Sequence, residues 1–308
     1  MKPLFYSTSK LDEAARYNFD IGEELQMEHA ALGIKKYISH NIKSGAQILI
    51  VCGCGNNGAD GYALARLLCG NYSVKVLPHE EPKSKLAILQ AKRAKALNIE
   101  FCKMPGSADV VVDAIFGSGL ARTLSAKTIG LLQKLNALCA LKIACDVSTG
   151  IFANGNTDTI AFKADVTITM GAAKLSLYSD NAKNFVGNVI TAELGVPFTN
   201  FCNGFAPDGF LLETKDMKLP FRNNPNSNKG DFGFVCTIAG NKSGAAILAA
   251  LAANRFGAGL SGIYGATQIP EQIITLDNIP KNATLIAGCG LGTLSNEILQ
   301  PLLKCEKA

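Results

Sequence analysis

Five short apolar runs recur along the first half of the chain: QILIVC (47–52), SVKVL (73–77), DVVVDAIF (109–116), LKIACD (141–146) and DVTITM (165–170). Each is separated from the next by a segment of helical length. Runs of this length, rich in valine and isoleucine, bury both faces and read as the strands of a parallel sheet. The alternation predicts an α/β fold: a Rossmann-like, doubly wound, mostly parallel sheet with helices on both faces. Ahead of it the first forty residues read as helical. Thr8 or Ser9 is placed to cap SKLDEAARYNF, and EELQMEHAALGIKKYI carries apolar residues at helical spacing.

A composition break follows Leu194-Gly195-Val196-Pro197, where residues 197–230 hold proline, asparagine and glycine at linker density. The expected division is a first domain over 1–210 and a second over 211–308. The second reads as the start of another α/β unit, with FGFVCTIAG (232–240) strand-like and SGAAILAALAANRFGAG (243–259) helical, followed by LSGIYG and TLIAGCGLG (284–292).

At 48% hydrophobic and 18% charged residues, the chain of 308 can bury a core. Its net charge of +5 comes from scattered lysines, so neither a nucleic-acid nor a membrane partner is expected. No apolar stretch reaches membrane-span length, and the N-terminus lacks the apolar core of a signal peptide. The ten cysteines stand singly, apart from Cys52 and Cys54, and lack metal-site spacing. They read as small reduced hydrophobes in a cytoplasmic protein.

The chemistry gathers at strand ends. The first run opens GCGNNGADGYALAR (53–66), in which Gly53-x-Gly55-x-x-Gly58 matches the dinucleotide fingerprint, with Glu80 near the position of its acidic partner. That match alone supports a Rossmann NAD-dependent oxidoreductase. Asp60 argues against it, because a carboxylate at the start of the helix competes with pyrophosphate for the helix dipole. Asp113 and Asp146 each close an apolar run. A carboxylate at the rim of a buried sheet is costly unless solvated, paired or holding a cation. Capping of the next turn is the plain explanation for one such aspartate. Two of them beside Asn56, Asn57 and Asp60 point to a site. The remaining reading is a non-catalytic nucleotide-binding module. Lys174 faces either the same cleft or solvent, and His29, His40 and His79 lie outside these motifs.

Four segments, NNGADG (56–61), VDAIFGSGL (112–120), DVSTG (146–150) and ADVTITMGAAKLSLY (164–178), resemble in order and spacing the NAD(P)H-hydrate epimerases, and MEHA (27–30) resembles their N-terminal helix motif. Ala59 stands where that family has glycine, and Ser148-Thr149 where it has Pro-Ser. NKGDFGFVCTIAG (228–240), the helix over 243–260 and AGCGLG (287–292) resemble the opening of the ribokinase-like, ADP- or ATP-dependent NAD(P)H-hydrate dehydratase. That family's later histidine and Gly-Thr-Gly-Asp loops have no counterpart in this sequence, so epimerase rather than dehydratase activity is expected, with ADP or ATP used only if that domain is completed.

The resemblance implies that the substrate is NADH or NADPH hydrated at C6 of its dihydronicotinamide ring, and that the enzyme interconverts its R and S forms. It implies Asp146 as the acid–base residue. Asn57, Asp113 and Thr149 would hold a potassium ion. Substrate contacts would come from Asn56, Asn57, Gly58, Ala59 and Asp60, from Gly117, Ser118, Gly119, Leu120, Ala121, Arg122 and Thr123, and from Asp146. Ala246 and Gly292 would contact the dehydratase substrate. A homodimer is expected, as is common in the family.

Overall fold

The computed structural model describes residues 1–218, 221–266, 268–288 and 290–292. Contacts divide the chain into two compact units, Met1–Glu213 and Thr214–Ala308.

The first unit is built on seven parallel strands: β2 (Gln47–Cys52), β3 (Ser73–Pro78), β4 (Glu100–Phe101), β5 (Val110–Ala114), β6 (Leu141–Cys145), β7 (Val166–Met170) and β9 (Asn188–Ala192). Their order is β4-β3-β2-β5-β6-β7-β9. Strand side chains alternate between faces, and both faces are covered. Ile48, Ile50 and Cys52 of β2 pack with Val110 and Val112 of β5 toward one face, under α1 (Ser9–Phe19), α2 (Glu23–Asn41), α3 (Asn56–Leu68) and α4 (Lys85–Ala96). Leu49, Val51 and Val111 point to the other, against Leu132 and Leu135 of α5 (Ala126–Ala137). Double-sided burial is why these strands read as continuous apolar runs.

The strand order turns back between β2 and β5. The loops after these two strands therefore diverge and leave a crevice at their carboxyl ends. A small sheet lies apart from the main one. In it β1 (Lys2–Phe5) pairs in parallel with β8 (Ala173–Lys174) and antiparallel with β10 (Gly209–Leu211). These strands are too short for a periodic signal, and the sequence reading contained none of them. Nor did it contain the half-exposed edge strand β9. Two short helices, α6 (Lys183–Val186) and α7 (Phe198–Phe201), complete the unit.

The second unit carries a parallel sheet of β11 (Phe234–Ile238), β12 (Leu260–Tyr264), β13 (Ile274–Leu276) and β14 (Thr284–Ile286), in the order β13-β12-β11-β14. Helix α8 (Ser243–Phe256) packs Ala246 and Ala250 against Ala239, Ile263 and Ile273. The helix stops three residues short of the expected end because Gly257 takes the left-handed cap conformation at φ 117°. Among the described residues no helix is long and apolar enough to cross a membrane. The eight described cysteines are free thiols, and Cys289 and Cys305 lie outside the described residues.

Candidate active site

A cavity of about 520 Å³ opens at the crevice between the β2 and β5 loops, a size that suits a small-molecule site. Cys54 to Asn57 and Asp60 form one wall, and Ile115 to Leu120 a second. Asp146 and Met170 close it at the ends of β6 and β7. Thr8, Asp12, Arg16, Glu23, Gln26 and Met27, from α1, its preceding turn and α2, supply the remaining wall.

The glycines of the β2 loop pack protein against protein. A Cβ on Gly53 would lie 2.0 Å from the Ile115 carbonyl oxygen, so this glycine lets the β2 and β5 loops touch. Gly58 and Ala59 are buried behind the cavity wall, Ala59 among Met27 and Ala87. They do not line the cavity, contrary to the contacts expected of them. Glu80, the acidic partner in the oxidoreductase reading, pairs with Lys83 at 2.9 Å and is likewise not part of the lining. The fingerprint match is thus accounted for by loop packing.

Asp146 is the most constrained residue of the site. It sits just past β6 at φ 68°, a left-handed conformation that costs a non-glycine residue about 1–2 kcal/mol. Its Oδ1 accepts from Lys174 Nζ at 2.6 Å, from Met170 N at 3.2 Å and from Thr169 Oγ1 at 3.3 Å. Its Oδ2 accepts from Ser118 N at 3.1 Å. Burial pushes the carboxyl up, but the Lys174 ammonium and these hydrogen bonds outweigh it and hold it below the usual carboxylate range. Gly117 permits this crowding, since a Cβ there would come within 3.0 Å of Asp146 Oδ2 and 3.1 Å of Asn57 Oδ1.

Lys174 is only 1% exposed, which excludes the solvent-facing alternative. Beyond Asp146 its ammonium donates to Thr169 Oγ1 at 3.0 Å and to the Met170 carbonyl at 3.2 Å, so all three of its protons are engaged. Two other carboxylates of the cavity, Asp60 and Asp12, are pushed the opposite way. Burial raises Asp60 well above its ordinary value, with help from the charges of Asp146 and Asp12. Burial raises Asp12 to about 6, with Lys174 opposing and Asp146 reinforcing.

The oxygens expected to hold potassium fall into two neighbouring places. Asp113 and Thr149 are fully buried behind the β5 loop. Thr149 donates from Oγ1 to Asp113 Oδ1 and from N to Oδ2, both at 2.8 Å, and Ile115 N donates to Oδ1 at 3.1 Å. Asn57 lies in the cavity wall, its Oδ1 beside Gly117 and its Nδ2 buried without a hydrogen-bond partner. Burial raises the Asp113 carboxyl to about 6 despite these donors, and among the described residues no cationic side chain pairs with it. A buried carboxylate short of counter-charge, with the Thr149 hydroxyl against it and the Asn57 amide oxygen in the neighbouring wall, supplies the hard oxygen donors that a monovalent cation takes.

Gly117, Ser118, Gly119 and Leu120 line the cavity. Ala121, Arg122 and Thr123 are exposed and do not line it. In the second unit Ala246 is buried in the core, and Gly292 stands at φ 64° beside Asn241. The sequence reading missed Asp12 and Gln26. Gln26 ties α2 to α1 by donating to the Asp12 carbonyl at 3.0 Å and to that of Ile21 at 2.9 Å. Thr8 stands at the N-cap of α1 but caps no backbone N–H; its hydroxyl donates instead to Asp12 Oδ2 at 3.3 Å.

Comparisons with known proteins place the chain in a family. A profile of the family described as YjeF-related protein N-terminus matches residues 23–176, half of the chain. The NAD(P)H-hydrate epimerase of Oenococcus oeni is 33% identical over 62% of this chain and 98% of its own length. The bifunctional NAD(P)H-hydrate repair enzyme Nnr of Helicobacter pylori is 34% identical over 96% of this chain, which spans 66% of that enzyme's length. The crystal structure of yeast ynu0 superposes with a TM-score of 0.55 at 18% identity, over 68% of this chain and 96% of that one, which shows a shared fold. On the profile match and the full-length likeness to the Oenococcus enzyme, the chain belongs to the YjeF-related protein N-terminus family, that of the NAD(P)H-hydrate epimerases.

Proposed function

We propose that the first unit interconverts the R and S forms of hydrated NADH and NADPH, with Asp146 as the proton-accepting residue. C6 of the hydrated ring carries a hydroxyl next to the ring nitrogen. Loss of that hydroxyl leaves a cation stabilised by nitrogen, and water can return to either face. The step needs positioned proton transfer near the oxygen and no change of oxidation state. The carrying observation is the buried Asp146–Lys174 pair at the cavity rim: the ammonium keeps the carboxylate ionised, and four donors fix its direction. A base held ionised and oriented in this way is ready to take a proton from water. The Gly117–Gly119 loop gives the backbone room to approach the substrate.

A potassium ion, where bound, would be held by Asn57, Asp113 and Thr149. It would supply positive charge that favours an anionic dinucleotide. The residues themselves hold the β5 loop against Asp146.

The test follows the R/S ratio of purified S-hydrate by chromatography, with Asp146→Asn beside the wild type. The wild type should bring the epimers rapidly to equilibrium. Asp146→Asn should keep dinucleotide binding and lose turnover by about 10²-fold or more. Near-native turnover in that variant would rule the role out.

A further inference from the structure

Return of water to the opposite face of C6 poses a problem for a site with one acid–base group. A proton must be given to the departing oxygen on one face and taken from the arriving water on the other. Asp146 is fixed by four donors and held ionised by Lys174, so it is suited to take a proton. A donor must come from elsewhere in the cavity.

Asp12 is placed for this. It belongs to α1, outside the residues matched by the family profile, and it lines the cavity together with Asp60 and Asp146. Its Oδ1 is buried and has no hydrogen-bond partner, and its Oδ2 accepts from Thr8 at a long 3.3 Å. The Asp12 carboxyl group as a whole is partly exposed at the cavity wall and only loosely held, so it can turn a proton toward a ligand. The charged and polar groups around it are Thr8 and Arg16 on its own helix, Asp60 on α3, Asp146 and Lys174 at the sheet rim, and Glu23 and Gln26 on α2. Glu23 is paired to Arg16, and Gln26 is bound to backbone carbonyls. The near-neutral position of the Asp12 carboxyl, about 6, against the depressed Asp146 is the division of labour expected of an acid and a base.

We propose that Asp12 is a second catalytic residue, the general acid that acts from the α1 wall while Asp146 acts as base from the sheet rim; this rests on the epimerase reading. Protonated Asp12 gives its proton to the C6 hydroxyl. The C6–O bond breaks, and its electron pair leaves with the oxygen as water while the ring-nitrogen lone pair stabilises C6. A second water adds to the other face of C6 and gives a proton to Asp146. One water leaves and one enters, C6 is inverted, and one proton has passed from Asp12 to Asp146. Lys174 favours its loss from Asp146 to solvent, and Asp12 regains one from solvent.

The experiment measures kcat/KM for epimerisation from about pH 5 to 9 in the wild type, Asp12→Asn, Asp12→Glu and Asp60→Asn, with NADPH affinity by calorimetry as a fold check. The wild-type value should fall above about pH 6 as Asp12 ionises. Asp12→Asn should lose about 10²-fold at pH 6 and lack that fall, with NADPH affinity within about threefold of wild type. Asp12→Glu should recover much of the rate with a displaced fall. A wild-type profile flat across this range, an Asp12→Asn variant that keeps rate and profile, or a fall abolished by Asp60→Asn instead would overturn the assignment. An inactive wild type would sink the epimerase reading and this inference together; an active one indifferent to Asp12→Asn sinks this inference alone.

Discussion

Replacing Asp12 by asparagine should make the protein more stable at neutral pH. The folded chain raises the Asp12 carboxyl from 3.8 to about 6, chiefly by burial. A carboxyl raised on folding adds stability that is complete below its unfolded pKa and is lost as pH rises through its folded one. That rise, at about 1.4 kcal/mol per tenfold change in proton affinity, makes the wild type about 3 kcal/mol less stable above pH 6 than its neutral form. Asparagine has no charge to bury. It weakens the long contact with Thr8, worth about 0.5–1 kcal/mol. A net gain of about 2 kcal/mol remains, which for a unit of this size is about 4–8 °C in Tm. Scanning calorimetry at about pH 7.5 and pH 4 reads both parts. The gain should be present at the higher pH and shrink to within about 0.5 kcal/mol at the lower, where the folded carboxyl is protonated and the unfolded one about half so. A variant less stable than wild type at pH 7.5, or one whose advantage is the same at both values, refutes the argument. A gain there combined with lost turnover is the trade expected where a charge is kept buried for chemistry.

Two further substitutions probe the rest of the site. Lys174→Met leaves the Asp146 carboxylate buried without its cation and should cost about 3–5 kcal/mol in urea denaturation, with Lys174→Met/Asp146→Asn recovering part; a single variant within about 1 kcal/mol of wild type would show the pair to be of little consequence. Asp113→Asn should abolish any rise of Tm in potassium chloride over tetramethylammonium chloride at equal ionic strength, and a wild type with equal Tm in both salts would remove the ion from the site.

The sheet was legible because its strands are buried on both faces. That burial forces the apolar runs QILIVC and DVTITM, and β2 and β7 lie within one residue of them. The strand ends were legible too, since Asn57, Asp113 and Asp146 are polar residues that an apolar strand does not otherwise need. The small-sheet strands β1, β8 and β10 were not, because their two to four residues carry no period. The loop Ala121–Thr123 was placed in the site by motif alone, and the structure leaves it in solvent.

Asp12 escaped for a different reason, and for Lys174 the sequence leaves cleft and solvent equally open. Asp12 stands four residues before Arg16 in an ordinary amphipathic helix, where an aspartate is most simply read as a solvated charge. Lys174 follows a Gly-Ala-Ala turn and is indistinguishable in sequence from a surface lysine. What changes both is enclosure. Helices α1 and α2 close over the strand ends, and the same step that removes water from these side chains sets their protonation apart: Lys174 holds Asp146 ionised, while Asp12 and Asp60 are pushed toward the neutral form. Below about pH 6 the cavity therefore holds fewer charges than its carboxylates suggest: one buried ion pair, with Asp12 and Asp60 pushed toward the form able to donate. That distribution comes from enclosure in the fold, which is why the sequence does not mark Asp12 and leaves the direction of Lys174 open.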